Sequence, residues 1–202
     1  MRSVWTFLAR GTATLGLLLA SASAFAWPCD FLTGGGWIVP WGAKANFGVG
    51  GGCKHGSPTW GHLQYIDRGA MPAPTISPLN VHWTSITAYI EGESGTDSRG
   101  RLIGVRYICG TARTNQLYDD VYFVVRVRDA GEPGVNDTFD IRLRDRGPND
   151  EVGLIVYSTE FEGLPHKLGE GGPGGGNIQL HKPNPSTTGA FGGECQALSE
   201  LP

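Results

Sequence analysis

Apolar and polar positions alternate with a period of two along much of the chain, and no stretch of useful length shows helical spacing. Asp120 to Arg128 is the clearest run: Val121, Phe123, Val125 and Val127 fall on one side, Tyr122, Val124, Arg126 and Arg128 on the other. Thr138 to Arg144 repeats it, with Phe139, Ile141 and Leu143 against Asp140, Arg142 and Arg144. The link between them contains Gly131, Pro133, Gly134 and Asn136, all turn formers, so the two runs predict an antiparallel hairpin. Further strands are expected at Asn80–Glu91, Leu102–Cys109, Val152–Ser158 and Asn177–Lys182, with shorter ones at Trp37–Val39, Lys44–Val49 and Gly61–Ile66. In Asn80–Glu91, strict alternation groups Ile86 with His82, Thr84 and Ala88, opposite Val81, Trp83 and Tyr89. About eight or nine strands cannot bury their apolar faces in one flat sheet. The expectation is an all-β, two-layer antiparallel β-sandwich, with a closed β-barrel as the alternative.

Composition narrows this further. The 202 residues include 32 glycines and 13 prolines, which excludes a helical bundle or coiled coil. Residues 1–26 read as a secretory signal: Arg2 and Arg10, an apolar core around Leu15 to Leu19, and Ala24-Phe25-Ala26 as the cleavage pattern. Trp27 and Pro28 before Cys29 do not suit lipoprotein processing. No later stretch is long and apolar enough to span a bilayer. The mature chain, 27–202, is therefore expected as one exported domain with a tail from about residue 183, delivered to the periplasm, cell surface or medium. In that oxidising setting Cys29, Cys53, Cys109 and Cys195 predict two disulfides. Cys29–Cys53 with Cys109–Cys195 is preferred, and the nested pairing Cys29–Cys195 with Cys53–Cys109 stands beside it.

The formal net charge is −3, and losing Arg2 and Arg10 makes the mature chain more acidic. Nucleic acid and anionic membranes are thus disfavoured as partners. Arg126, Arg128, Arg142, Arg144 and Arg146 read as a solvated sheet face laced with cross-strand pairs.

Candidate chemistry is sparse. Asp129, Glu132, Asn136, Asp137 and Asp140 gather oxygen ligands around a glycine-rich turn and form a candidate Ca²⁺ site, although a turn held by Asx hydrogen bonds explains the same residues. No other cofactor is indicated. Zinc-hydrolase spacing is lacking among the histidines. His62 and Gln64 share one strand face, and Asn177, Gln179 and His181 another. If those strands lay side by side they would form a polar strip for a ligand. Trp37 and Trp60 are further candidates, since an aromatic ring on a β face stacks on sugars or on a partner protein. The glycine runs Gly34–Gly36, Gly50–Gly52 and Gly174–Gly176 read as close backbone approaches, turns or bulges.

Six ordered blocks carry a resemblance. They are Thr33-Gly-Gly-Gly-Trp-Ile38, Ala45-Asn-Phe-Gly48, Gly61-His-Leu-Gln-Tyr-Ile-Asp67, Val127-Arg-Asp-Ala-Gly-Glu-Pro-Gly134, Asn136-Asp-Thr-Phe139 and Gly175-Gly-Asn-Ile-Gln-Leu-His-Lys182. Together the chain resembles the small bacterial extracellular β module that follows choice-of-anchor modules in surface proteins. The resemblance implies a β-sandwich surface domain with no assigned reaction and no catalytic residues to carry over. The expected role is a non-enzymatic secreted or cell-surface module in adhesion, matrix assembly or recognition, with a glycan, a matrix or surface protein, or a second copy as partner. Two alternatives remain: a carbohydrate-binding module using exposed tryptophans, and an extracellular hydrolase with an acidic site.

Overall fold

A computed structural model describes residues 29–69, 77–159 and 165–198. The expected signal segment and Trp27 lie outside them. The strands are β1 (Phe31–Ile38), β2 (Ala45–Gly52), β3 (Trp60–Asp67), β4 (Leu79–Thr96), β5 (Leu102–Thr114), β6 (Asp120–Asp129), β7 (Thr138–Arg146), β8 (Val152–Ser158), β9 (Gly176–His181) and β10 (Gly192–Gly193). The first eight form an antiparallel meander, β9 returns to pair with β1, and β10 adds to β4. The order is β8-β7-β6-β5-β4-β3-β2-β1-β9, and no ladder among the described residues joins β8 to β9. The sheet folds over on itself as a two-layer β-sandwich, and the barrel alternative is not adopted.

Contacts across the layers show how it closes. Phe47 of β2 stacks on Phe139 of β7 at 3.9 Å between centroids, and Tyr65 of β3 meets Tyr157 of β8 hydroxyl to hydroxyl at 2.5 Å. The inward residues of β6 and β7 are the ones their alternation selects: Val121, Phe123, Val125 and Val127, with Phe139, Ile141 and Leu143, all buried. Tyr122 and Val124 face the other way yet are buried too, because Ala197 of the tail covers them together with Ala88 and Cys109. The disulfides are Cys29–Cys53 and Cys109–Cys195, the second fastening that tail.

Three expectations need correction. The first two strands are longer than read, since Gly34–Gly36 and Gly50–Gly52 lie inside β1 and β2. Gly51 shows a packing reason: a Cβ there would come within 2.6 Å of the Ile108 side chain and 3.1 Å of Tyr89. Strict alternation fails in β4, where register shifts at Trp83/Ser85 and Ile86/Ala88 turn Ile86 into the core and Ala88 outward. The arginine face is not wholly solvated either. Arg144 is buried, and its Nε donates to the Gly153 carbonyl.

Candidate functional face

Strands β3, β2, β1 and β9 lie in that spatial order, so β3 and β9 are not neighbours. The expected strip of adjacent strands is corrected: β2 and β1 stand between its halves. Period-two geometry nevertheless places all seven candidate residues on one face. Leu32, Ile38, Phe47, Val49, Leu63, Tyr65, Ile178 and Leu180 point into the core. The alternate positions therefore point out.

The ladders align these outward residues in rows. His181, Phe31, Gly52 and Trp60 form one; Gln179, Thr33, Gly50 and His62 form the next. A third runs from Asn177 through Gly35, Gly48 and Gln64 to His82. Trp37 lies beyond it, opposite Asn46. Two side-chain-free positions, Gly35 and Gly48, thus sit side by side in the middle of the face.

Gly48 is the informative one. A Cβ there would meet nothing within 4 Å, and its φ lies outside the left-handed region. At Gly35 the nearest atom would be the Phe47 carbonyl oxygen at 3.3 Å. Glycine weakens a strand, and inside strands it marks bulges, bends or places where another molecule comes close. Gly48 lies in an unbroken ladder, which excludes a bulge there and leaves its outward side open.

The aromatic side chains are held rather than loose. Phe31 stacks on His181 at 4.4 Å, with planes 8° apart, and meets Trp60 edge-on at 6.3 Å. Lys54 Nζ lies 3.9 Å from the Trp60 centroid and 4.5 Å from that of Phe31. Trp37 Nε1 donates to the Gly174 carbonyl at 3.2 Å, with Lys44 Nζ 4.4 Å from the ring. The polar groups are paired too: His181 Nε2 with Thr33 Oγ1 at 2.8 Å, and His82 Nδ1 with Gln64 Oε1 at 2.6 Å. Burial, and then the Lys54 charge, hold the His181 imidazole below the usual histidine range, favouring its neutral form. No outward position of these four strands carries a carboxylate. Glu132 reaches the rim, where it accepts from Asn177 Nδ2 at 3.2 Å.

The acidic loop serves the edge of this face. Asp129 Oδ1 accepts from the Gly131 amide and its Oδ2 from that of Leu180; Asp137 Oδ1 accepts from Ala130 and its Oδ2 from Ile178. Two buried carboxylates, one ending β6 and one in the β6–β7 connection, thereby hold amides of β9. Asn136 accepts from Lys167 Nζ, while Asp140 lies on β7 with His166 and Thr159, apart from the loop. Among the described residues no group of three or more His, Cys, Asp or Glu side chains is arranged to hold a metal.

Burial, above all, lifts the Asp137 carboxyl to about 6 against the two amides that lower it, and Asp129 and Glu132 push the same way. A raised carboxyl favours the protonated folded state. Its stabilising contribution is complete below about pH 4 and is lost as pH rises through about 6. We expect the melting temperature to rise between pH 7 and pH 5, and to rise less in Asp137→Asn. Equal slopes in the two proteins would refute this account.

Reasoning from sequence missed Phe31, Thr33, Gly35, Gly48 and His82 as members of the face. The signal was present in Phe31-x-Thr33-x-Gly35-x-Trp37, but the glycines masked it as a turn. The chain matches no protein-family model, no curated protein and no solved structure. No helix among the described residues is long and apolar enough to cross a membrane.

Proposed function

We propose that the chain is a secreted, non-enzymatic recognition module that binds glycan on the outer face of β3-β2-β1-β9. The observation that carries this reading is the open place beside Gly48, in a strand that has no internal need of glycine there. A sugar ring presents one apolar face and a rim of hydroxyls. Backbone at Gly35 and Gly48 offers a flat floor for the former, with Trp37 nearby as a wall. Gln64, Gln179, His62 and Thr33 each combine donor and acceptor capacity, which matches hydroxyls in either role. With no carboxylate facing outward and Lys44 and Lys54 close by, neutral or acidic sugars are admitted alike. The resemblance to an extracellular surface module agrees with this role. The strongly displaced tyrosines, Tyr65, Tyr89 and Tyr157, are buried in the interior rather than on this face.

The test is tryptophan-fluorescence titration against a panel of neutral and uronic-acid polysaccharides, with Gly48→Val as the probe. Valine suits a strand and its Cβ meets nothing within 4 Å there, so its melting temperature should equal or exceed the parent's. Its affinity should fall about tenfold or more. Binding that survives Gly48→Val, or no binding across the panel, would overturn the proposal.

A further inference from the structure

The chain has four lysines, and three of them border the β3-β2-β1-β9 face: Lys44 and Lys54 flank β2, and Lys182 follows β9. Elsewhere Arg101, Arg106 and Arg146 are neutralised by Asp97, Asp30 and Asp150 at 2.7, 2.6 and 2.5 Å. Lys44 and Lys54 are held in another way. The Lys44 ammonium stands 4.4 Å from the Trp37 centroid, and that of Lys54 stands 3.9 Å from Trp60 and 4.5 Å from Phe31. Among the described residues neither forms an ion pair with a carboxylate. An aromatic ring fixes an ammonium in place, yet it leaves the charge un-neutralised and the N–H donors uncommitted. Phe31 and Trp37 point out of the same strand six residues apart, which is about 20 Å along β1. The two fixed charges therefore stand at opposite ends of the face, with Gly35 and Gly48 between them.

We infer that the glycan this face retains is a polyuronate, whose repeated carboxylates meet Lys44 at one end and Lys54 at the other while its rings cross Gly35 and Gly48. This rests on the glycan reading above and adds the charge class of the ligand. Backbone floor and aromatic rings admit neutral and acidic sugars; the two ammoniums decide which is held longer. The ligand then runs along β1 and β2 rather than across the sheet. Glu132, which reaches the rim at Asn177, is left to one side. No carboxylate points outward from the four strands to repel the chain. One exposed ion pair contributes little, so a single uronate gains little from either lysine. A chain that reaches both turns the second contact into an intramolecular one, and its affinity rises accordingly.

Calorimetric titration of the mature chain with polygalacturonate and polymannuronate, each as its sodium salt and as its neutral methyl ester, tests this. The salts should bind about tenfold more tightly than the esters at low ionic strength, and added sodium chloride should erode that preference. Affinity should climb with oligomer length up to a span of about 20 Å and change little beyond it. Lys44→Met with Lys54→Met should abolish the preference, whereas Lys44→Arg with Lys54→Arg keeps both charges and should retain it. Should the methionine pair fail to fold, the ester and length comparisons on the parent decide alone. Polyglutamate, a charged chain without sugar rings, should bind about tenfold more weakly than either uronate. Salts that bind no more tightly than their esters, or a preference that survives the methionine pair, would overturn the inference and leave the glycan reading standing. Affinity indifferent to length, or polyglutamate held as tightly as polyuronate, would also overturn it. Failure to bind any glycan removes both readings together.

Discussion

Replacing Arg106 with methionine should cost the fold about 3–5 kcal/mol, read as a lowered urea midpoint. Arg106 is only 1% exposed, and it meets Asp30 in two bonds: Nε to Oδ1 at 3.2 Å and Nη2 to Oδ2 at 2.6 Å. Tyr89 adds its hydroxyl to Asp30 Oδ1 at 2.7 Å. The same guanidinium donates to the Glu93 and Val105 carbonyls and to Ser94 Oγ. Methionine fills most of the volume, so the loss is electrostatic: a buried carboxylate keeps one partner, and two carbonyls lose theirs. Asp30→Asn in the same protein removes the stranded charge, and the double variant should recover much of the loss. An Arg106→Met protein within about 1 kcal/mol of the parent would show that the pair is not what seats the start of β1 against β5.

How far the sequence disclosed this architecture depended on which residues carried the signal. The β6–β7 hairpin was legible because β-branched and aromatic residues alternate there with arginines, and a two-sided burial pattern leaves little choice of register. Strands β1 and β2 were only half legible. Glycine contributes nothing to an apolar pattern, and at Gly51 it is present because Ile108 and Tyr89 need the room. In β4 the bulges reverse the sense of alternation, so Ile86, which strict alternation groups with His82, packs in the core with Val81 and Tyr89. Bulges of this kind leave no local trace in composition.

The site shows the same division. His62 and Gln64 share a face because they are two residues apart on one strand, and so do Asn177, Gln179 and His181. That both sets share the same face depends on β9 returning across the whole chain to β1. That is a long-range pairing which no local rule specifies. Asp129 and Asp137 illustrate the converse. Their oxygen chemistry was plain from the sequence, but the amides of β9 reach them only once β9 has returned. An acidic loop thereby becomes a clasp on a sheet edge.

Removing the Cys109–Cys195 bridge by Cys109→Ala with Cys195→Ala should be the more damaging of the two possible disulfide deletions. The closed loops span 86 and 24 residues, which loop-closure entropy converts to about 4.5 and about 3.5 kcal/mol. The longer bridge also has a local task. Without it the tail keeps the two-residue ladder of Gly192–Gly193 on β4, the exchange of hydrogen bonds between Thr87 and Glu194, and the Phe191 ring stacked on Tyr89 at 5.5 Å, while the amides of His55 and Gly189 donate to the Ser186 and Cys53 carbonyls further back. Beyond Glu194 the chain end would then rely on the packing of Ala197 and Leu198. The end of the chain should lift from Ala88, Tyr122 and Val124, which opens Phe191 and Leu198 to limited proteolysis by chymotrypsin while the sandwich stays folded. Urea unfolding of both double variants, with chymotrypsin digestion under native conditions, separates the two effects. A smaller loss than for Cys29→Ala with Cys53→Ala, or a tail that resists chymotrypsin as it does in the parent, would show that packing at Ala197 and Leu198 suffices to keep that layer closed.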